Sequence, residues 1–83
     1  MKIQVRYFAS LREALGPAEA VEVPEGSTLH DLRDLLVQRS PLHAGALGRE
    51  RAVRCALDQR LCSEGAVLGD GAEVAFFPPV TGG

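Results

Sequence analysis

Leu29, Leu32 and Leu36 fall at i, i+3 and i+7, with Leu35 beside them. This spacing predicts the main helix, over about Leu29 to Arg39. Thr28 is the preferred N-cap, with Ser27 competing, and Asp31 suits the positive end of the helix dipole. Arg33, Asp34 and Gln38 read as the polar face. Ser40-Pro41 ends the helix, because the residue before a proline avoids helical angles. A helix with one apolar stripe must bury it against another element.

That element is read from segments of period two. Ile3, Val5 and Tyr7 alternate with Lys2, Gln4 and Arg6, a half-buried strand; Phe8 then falls on its polar face. Ser10-Leu11-Arg12-Glu13 has capping-box spacing, which predicts a short helix after Ser10 with Leu11 and Leu15 inward. Gly16-Pro17 closes it. Val21 and Val23 flank Glu22 in a second strand, expected antiparallel to the first. Residues 41–51 read as a loop pinned by Leu42 and Leu47, and His30 and His43 have no identifiable partner. Val53, Cys55 and Leu57 alternate in a third strand. Asp58-Gln59 turns into a short strand, Arg60 to Cys62. After the Leu68-Gly69-Asp70-Gly71 turn, Val74 and Phe76 face the core, with Glu73, Ala75 and Phe77 outward.

The expectation is an α+β domain, a mixed sheet of about five strands packed on one main helix, with the other sheet face open. The β-grasp fold meets these requirements. Residues 1–77 form the domain, and residues 78–83 an extended flexible tail ending in Gly82-Gly83.

Composition narrows the function classes. With 83 residues there is one domain. The net charge of −2 argues against general nucleic-acid binding, which needs a basic excess. No apolar run approaches the roughly 18 residues of a membrane span, and Met1-Lys2 leads straight into a strand. A cytoplasmic protein is expected. Cys55 and Cys62, seven positions apart, lack CxxC spacing, and no ligand cluster completes a metal site. They read as two buried small apolar side chains in a reducing compartment.

Strand parity puts Phe8, Leu61 and Phe77 on the open face, each from a different strand. If those strand ends adjoin, they form an apolar patch suited to a partner. Lys2, Arg6, Arg54 and Arg60 are expected around it, with Arg6 and Arg60 as a basic rim steering an acidic partner.

The tail begins with Pro78-Pro79, which prefers an extended conformation, and runs through Val80-Thr81 to two glycines. Six extended residues reach roughly 20 Å. Gly82 and Gly83 lack Cβ atoms, so their backbone can lie close to the walls of a channel. A terminal carboxyl is ionised at neutral pH. It can attack the α-phosphate of ATP to give an acyl-adenylate, which then accepts a sulfur or amine nucleophile. The chain has no Walker motif to do this alone.

The closing run from Gly71 to Gly83, with Phe-Phe-Pro-Pro-Val-Thr-Gly-Gly as its most specific part, resembles the end of the molybdopterin synthase small subunits. So does the start, from Ile3 through Phe8-Ala9 and Leu11-Arg12-Glu13 to Gly16. Asp58 and Ala72 depart from that family's usual turn residues. The resemblance implies a ubiquitin-like β-grasp fold and a sulfur carrier. An adenylyltransferase of the ubiquitin-activating type would use ATP to adenylate Gly83, and a sulfur donor system would convert it to a thiocarboxylate. The tail, with Val80, Thr81 and Gly82 threaded, would enter the synthase large subunit and pass sulfur to cyclic pyranopterin monophosphate. Phe8, Leu61, Phe77, Pro78 and Pro79 would meet that subunit in a heterotetramer. The chain itself would bind no cofactor and no metal, and catalytic groups would come from the partner.

Three other readings remain at this point. A carrier for thiamine or tRNA thiolation shares the fold and Gly-Gly. A ubiquitin-like modifier would join target lysines through Gly83. A plain interaction module would tolerate loss of Gly82 and Gly83.

Overall fold

A computed structural model describes residues 1–79. The elements are β1 (Lys2–Tyr7), α1 (Ala9–Leu15), β2 (Ala18–Glu22), α2 (Leu29–Val37), α3 (Pro41–Leu47), β3 (Arg54–Leu57), β4 (Arg60–Cys62) and β5 (Glu73–Phe77). The strands form one sheet in the order β2-β1-β5-β3-β4. β1 and β5 are parallel; the other pairs are antiparallel, including the expected β1–β2 pair.

One sheet face carries the core. Ile3, Val5, Tyr7, Val21, Val74 and Phe76 are buried there against Leu29, Leu32 and Leu36 of α2. Leu11 of α1 and Leu47 of α3 join the same cluster, so the cover is three short helices rather than one. The chain has the α+β, ubiquitin-like β-grasp architecture.

The starts and stops follow local chemistry. Thr28 caps α2 in a full capping box: its hydroxyl accepts from the Asp31 amide at 3.2 Å, and Asp31 accepts from the Thr28 amide at 2.9 Å. α1 has no such cap. It begins at Ala9, and its N-cap Phe8 makes no side-chain bond, so the Ser10–Glu13 capping box does not form. The cause lies in β1: the Phe8 amide stays in the ladder, bonded to the Phe76 carbonyl, and Ala9 at φ 53° turns the chain at once. β2 likewise starts earlier than expected, because the Pro17 carbonyl already accepts from the Tyr7 amide at 3.0 Å.

Residues 41–47 are helical, not loop. Ser40 accepts from the His43 amide and Pro41 takes the first helical position, so the same Ser-Pro that stops α2 starts α3. Leu47 is fully buried, but Leu42 stays 65% exposed and pins nothing. Arg33, expected on the polar face, is buried at 4% exposure. Its guanidinium donates to the carbonyls of Leu47 (2.7 Å), Gly48 (2.9 Å) and Arg51 (3.0 Å) and to Glu64 (2.7 Å). It thereby ties α2 to the segment after α3 and to the chain after β4.

Candidate functional site

The sheet face opposite the helices is set by register. Its central row runs Leu61, Ala56, Ala75, Arg6 across β4, β3, β5 and β1. In the next row Arg54 pairs with Phe77. Phe8 follows Tyr7, the partner of Phe76, so it stands beside Phe77 at the end of the parallel ladder. The three expected apolar residues therefore do share a face. Ala56 and Ala75 make a low floor between Leu61 and the two phenylalanines. Phe8 is 39% and Leu61 67% exposed, while Phe77 is half-buried. Large exposed apolar groups around small ones form the kind of surface that a partner fills.

Ala9 matters to this surface. Left-handed backbone at a non-glycine residue costs about 1–3 kcal/mol. Here it lets the chain leave β1 within one residue, which keeps Phe8 extended at φ −129° on the open face.

The basic rim is partly as expected. Lys2, Arg6 and Arg54 lie on the open face by register. The Arg6 guanidinium carbon sits 5.6 Å from the centre of the Phe8 ring, within cation–π range, and its Nη1 is 3.6 Å from Glu73. Arg60 does not belong to this face. It pairs with Leu57 across a two-residue turn, and residues so paired point to the same side. Leu57 points to the helix side, so Arg60 does too.

Pro78 and Pro79 leave β5 at the edge of a groove of about 660 Å³ between α1 and α3. Leu11, Ala14, Ala46 and Val53 give it an apolar lining. The expected tail residues Val80, Thr81, Gly82 and Gly83 lie outside the described residues.

Two polar clusters hold the scaffold behind the face, and both histidines have partners there. Glu19 accepts from the Tyr7 hydroxyl at 2.7 Å, meets His43 Nε2 at 2.8 Å and pairs with Arg39 at 2.5 Å. Burial alone would raise the Glu19 carboxyl, but hydrogen bonds from His43, Tyr7 and Arg39 bring it below the ordinary range. Burial, then the hydrogen bond to Glu19, pushes the Tyr7 hydroxyl up. Glu64 is the second centre, shared by Arg33 and Arg49, with His30 Nδ1 at 3.7 Å. Its carboxyl is likewise held low: the bonds from Arg49 and Arg33 outweigh the effect of burial.

Ser40, His43 and Glu19 line up in the manner of a nucleophile, base and acid, with 2.7 Å from Ser40 Oγ to His43 Nδ1. The serine oxygen is already the cap of α3, accepting from the His43 amide. This arrangement is built for fastening α3 to β2, and the face itself carries apolar and cationic groups suited to binding.

Comparison with known proteins agrees with this geometry. The ThiS family model matches residues 5–83. The molybdopterin synthase sulfur carrier subunit of Mycobacterium tuberculosis is 41% identical, with 100% of this chain and 99% of that protein aligned. Small archaeal modifier protein 1 of Haloferax volcanii superposes with a TM-score of 0.77 at 26% identity, covering 95% of this chain and 98% of that one. A subunit from the complex of subunits 1 and 2 of the molybdopterin-converting factor of Helicobacter pylori superposes with a TM-score of 0.71 at 27% identity over the whole of both chains. On its near-complete match to the family model, and on likeness over the whole chain to a carrier subunit, the chain belongs to the ThiS family.

Proposed function

We propose that this chain is the sulfur-carrier subunit of a molybdopterin synthase. The observation that carries the reading is end-to-end similarity to the Mycobacterium tuberculosis carrier subunit. The apolar face near the root of the C-terminal segment adds to it. In this reading the Gly83 carboxylate attacks the α-phosphorus of ATP on a separate adenylyltransferase, and pyrophosphate leaves. A sulfur donor then displaces AMP from the acyl carbon, leaving a thiocarboxylate. Phe8, Leu61 and Phe77 dock on the large subunit while Val80, Thr81 and Gly82 thread toward its pterin, cyclic pyranopterin monophosphate. The complex of subunits 1 and 2 in Helicobacter pylori supports such a pairing. Heterotetramer assembly and a cytoplasmic setting belong to the same proposal. Among the described residues no helix is long and apolar enough to cross a membrane.

The test is to combine the chain with a large subunit, an activating enzyme, ATP and a sulfur source. Intact mass is expected to show oxygen-to-sulfur exchange at Gly83, followed by pterin conversion. No exchange, with competent controls, removes the carrier reading. Exchange without conversion points to another thiolation pathway.

A second reading has its own support in the likeness to small archaeal modifier protein 1. A modifier would appear in cells as isopeptide adducts on target lysines, where a carrier would appear as the thiocarboxylate.

A further inference from the structure

Cys55 and Cys62 are directly opposed across the β3–β4 pair. Their sulfurs lie 4.0 Å apart, and Cys55 Sγ also reaches the Cys62 carbonyl at 3.4 Å. Directly opposed residues of an antiparallel pair have Cα atoms about 4.5–5.5 Å apart, inside the 4.4–6.8 Å range of disulfides. Both side chains point to the helix side of the sheet; Cys55 is buried, and Cys62 is partly open to solvent. Among the described residues, β4 is a three-residue strand at the sheet edge, held in the ladder by β3 alone.

We propose that Cys55 and Cys62 form a thiol–disulfide exchange site that takes low-molecular-weight disulfides such as oxidised glutathione. The more open Cys62 reacts first. Its thiolate attacks one sulfur of the small disulfide, forming a mixed disulfide and releasing one thiolate. Cys55 then gives up its proton to solvent, and its sulfur attacks Cys62 Sγ and expels the second thiolate. The protein loses two protons and two electrons, and the small disulfide is reduced to two thiols. Burial, with Cys62 alongside, pushes the Cys55 thiol up to about 12, so Cys55 suits the closing step and not the opening one. The product is a covalent tie between β3 and the edge strand that carries Leu61. This inference does not depend on the carrier reading.

To test it, the native chain is incubated with excess oxidised glutathione, and its mass is read intact without reductant. The expected product has lost two hydrogens, regains them with dithiothreitol, and yields a linked peptide pair containing residues 55 and 62. Amide exchange in β4 is expected to slow on oxidation. Cys55→Ser is expected to stop at a single glutathione adduct on Cys62. A native chain that keeps both thiols, or stops at the mixed adduct, overturns the proposal if the urea-unfolded chain closes its disulfide in the same buffer.

Discussion

The Phe8 amide donates to the Phe76 carbonyl at 3.1 Å, carrying the β1–β5 ladder one residue past Tyr7. That bond places Phe8 next to Phe77 on the open face. Phe8→Ala or Phe77→Ala is expected to weaken binding to a large subunit by about 1–3 kcal/mol each, as for anchors at the centre of an interface. Leu61→Ala is expected to follow. Titration calorimetry with a folded variant measures this; unchanged affinity for all three would make the face an ordinary surface.

Rim charge is expected to act on association rate. Arg54→Glu reverses a charge beside Phe77 on the open face, whereas Arg60→Glu does so on the helix side. Stopped-flow association should slow for Arg54→Glu, with the larger effect at low salt, and change less for Arg60→Glu. Equal effects would mean that overall charge, not position, governs the encounter.

Arg33→Ala removes the donors for three backbone carbonyls and a partner of Glu64. Uncompensated buried acceptors and the loss of a half-buried ion pair make a loss of about 3 kcal/mol the expected result of urea unfolding. Lysine at this position cannot supply the guanidinium fork, so Arg33→Lys is expected to recover only part of the loss. A loss under about 1 kcal/mol would show that the 47–51 segment holds without it.

Acid should destabilise the fold through Glu19 and Glu64. Both carboxyls are lowered in the folded chain, so they bind protons more weakly there than when unfolded. Their contribution is complete above the ordinary carboxylate range and is lost as pH falls through the lowered values. Glu19→Gln with Glu64→Gln should give a chain less stable at pH 7 but flatter in melting temperature below about pH 4.5. Parallel profiles for the two chains would assign acid sensitivity to other groups.

The β3–β4 turn uses Asp58 at φ 48° and Gln59 at φ 69°. Left-handed backbone at an ordinary residue costs about 1–2 kcal/mol, and hairpins of this kind favour glycine at the second position. Gln59→Gly is therefore expected to stabilise the chain by about 0.5–1 kcal/mol, allowing for the extra freedom it gives the unfolded state. Asp58 should be left in place, since its carboxylate accepts from the Glu73 amide at 3.0 Å. A lower melting temperature for Gln59→Gly would count against strain at this turn.

The strands and α2 were legible because each alternates or repeats against a single core. Val74 and Phe76 point inward, and Phe77 outward, as period two requires. α3 was not legible, because one buried leucine in seven residues makes no periodicity. Arg33 was hidden for a different reason: its partners lie 14, 15, 18 and 31 positions away, so only tertiary structure shows that an arginine belongs inside. Arg60 cannot share the open face with its neighbour Leu61, because adjacent residues of a strand point to opposite sides; paired with Leu57, it faces the helix side. Of the candidate site, the apolar trio could be read from parity, but its alanine floor needed the register.

Sheet order has a consequence for a shortened chain. β5 lies between β1 and β3, yet it is the last of the five strands in the chain. Without β5, the β1–β2 pair and the β3–β4 pair share no strand that joins them among the described residues. A chain cut before residue 73 thus has no continuous sheet, no Phe76 in the core and no Phe77 beside Phe8 on the open face. The face that Phe8, Leu61 and Phe77 share therefore depends on β5 for its completion.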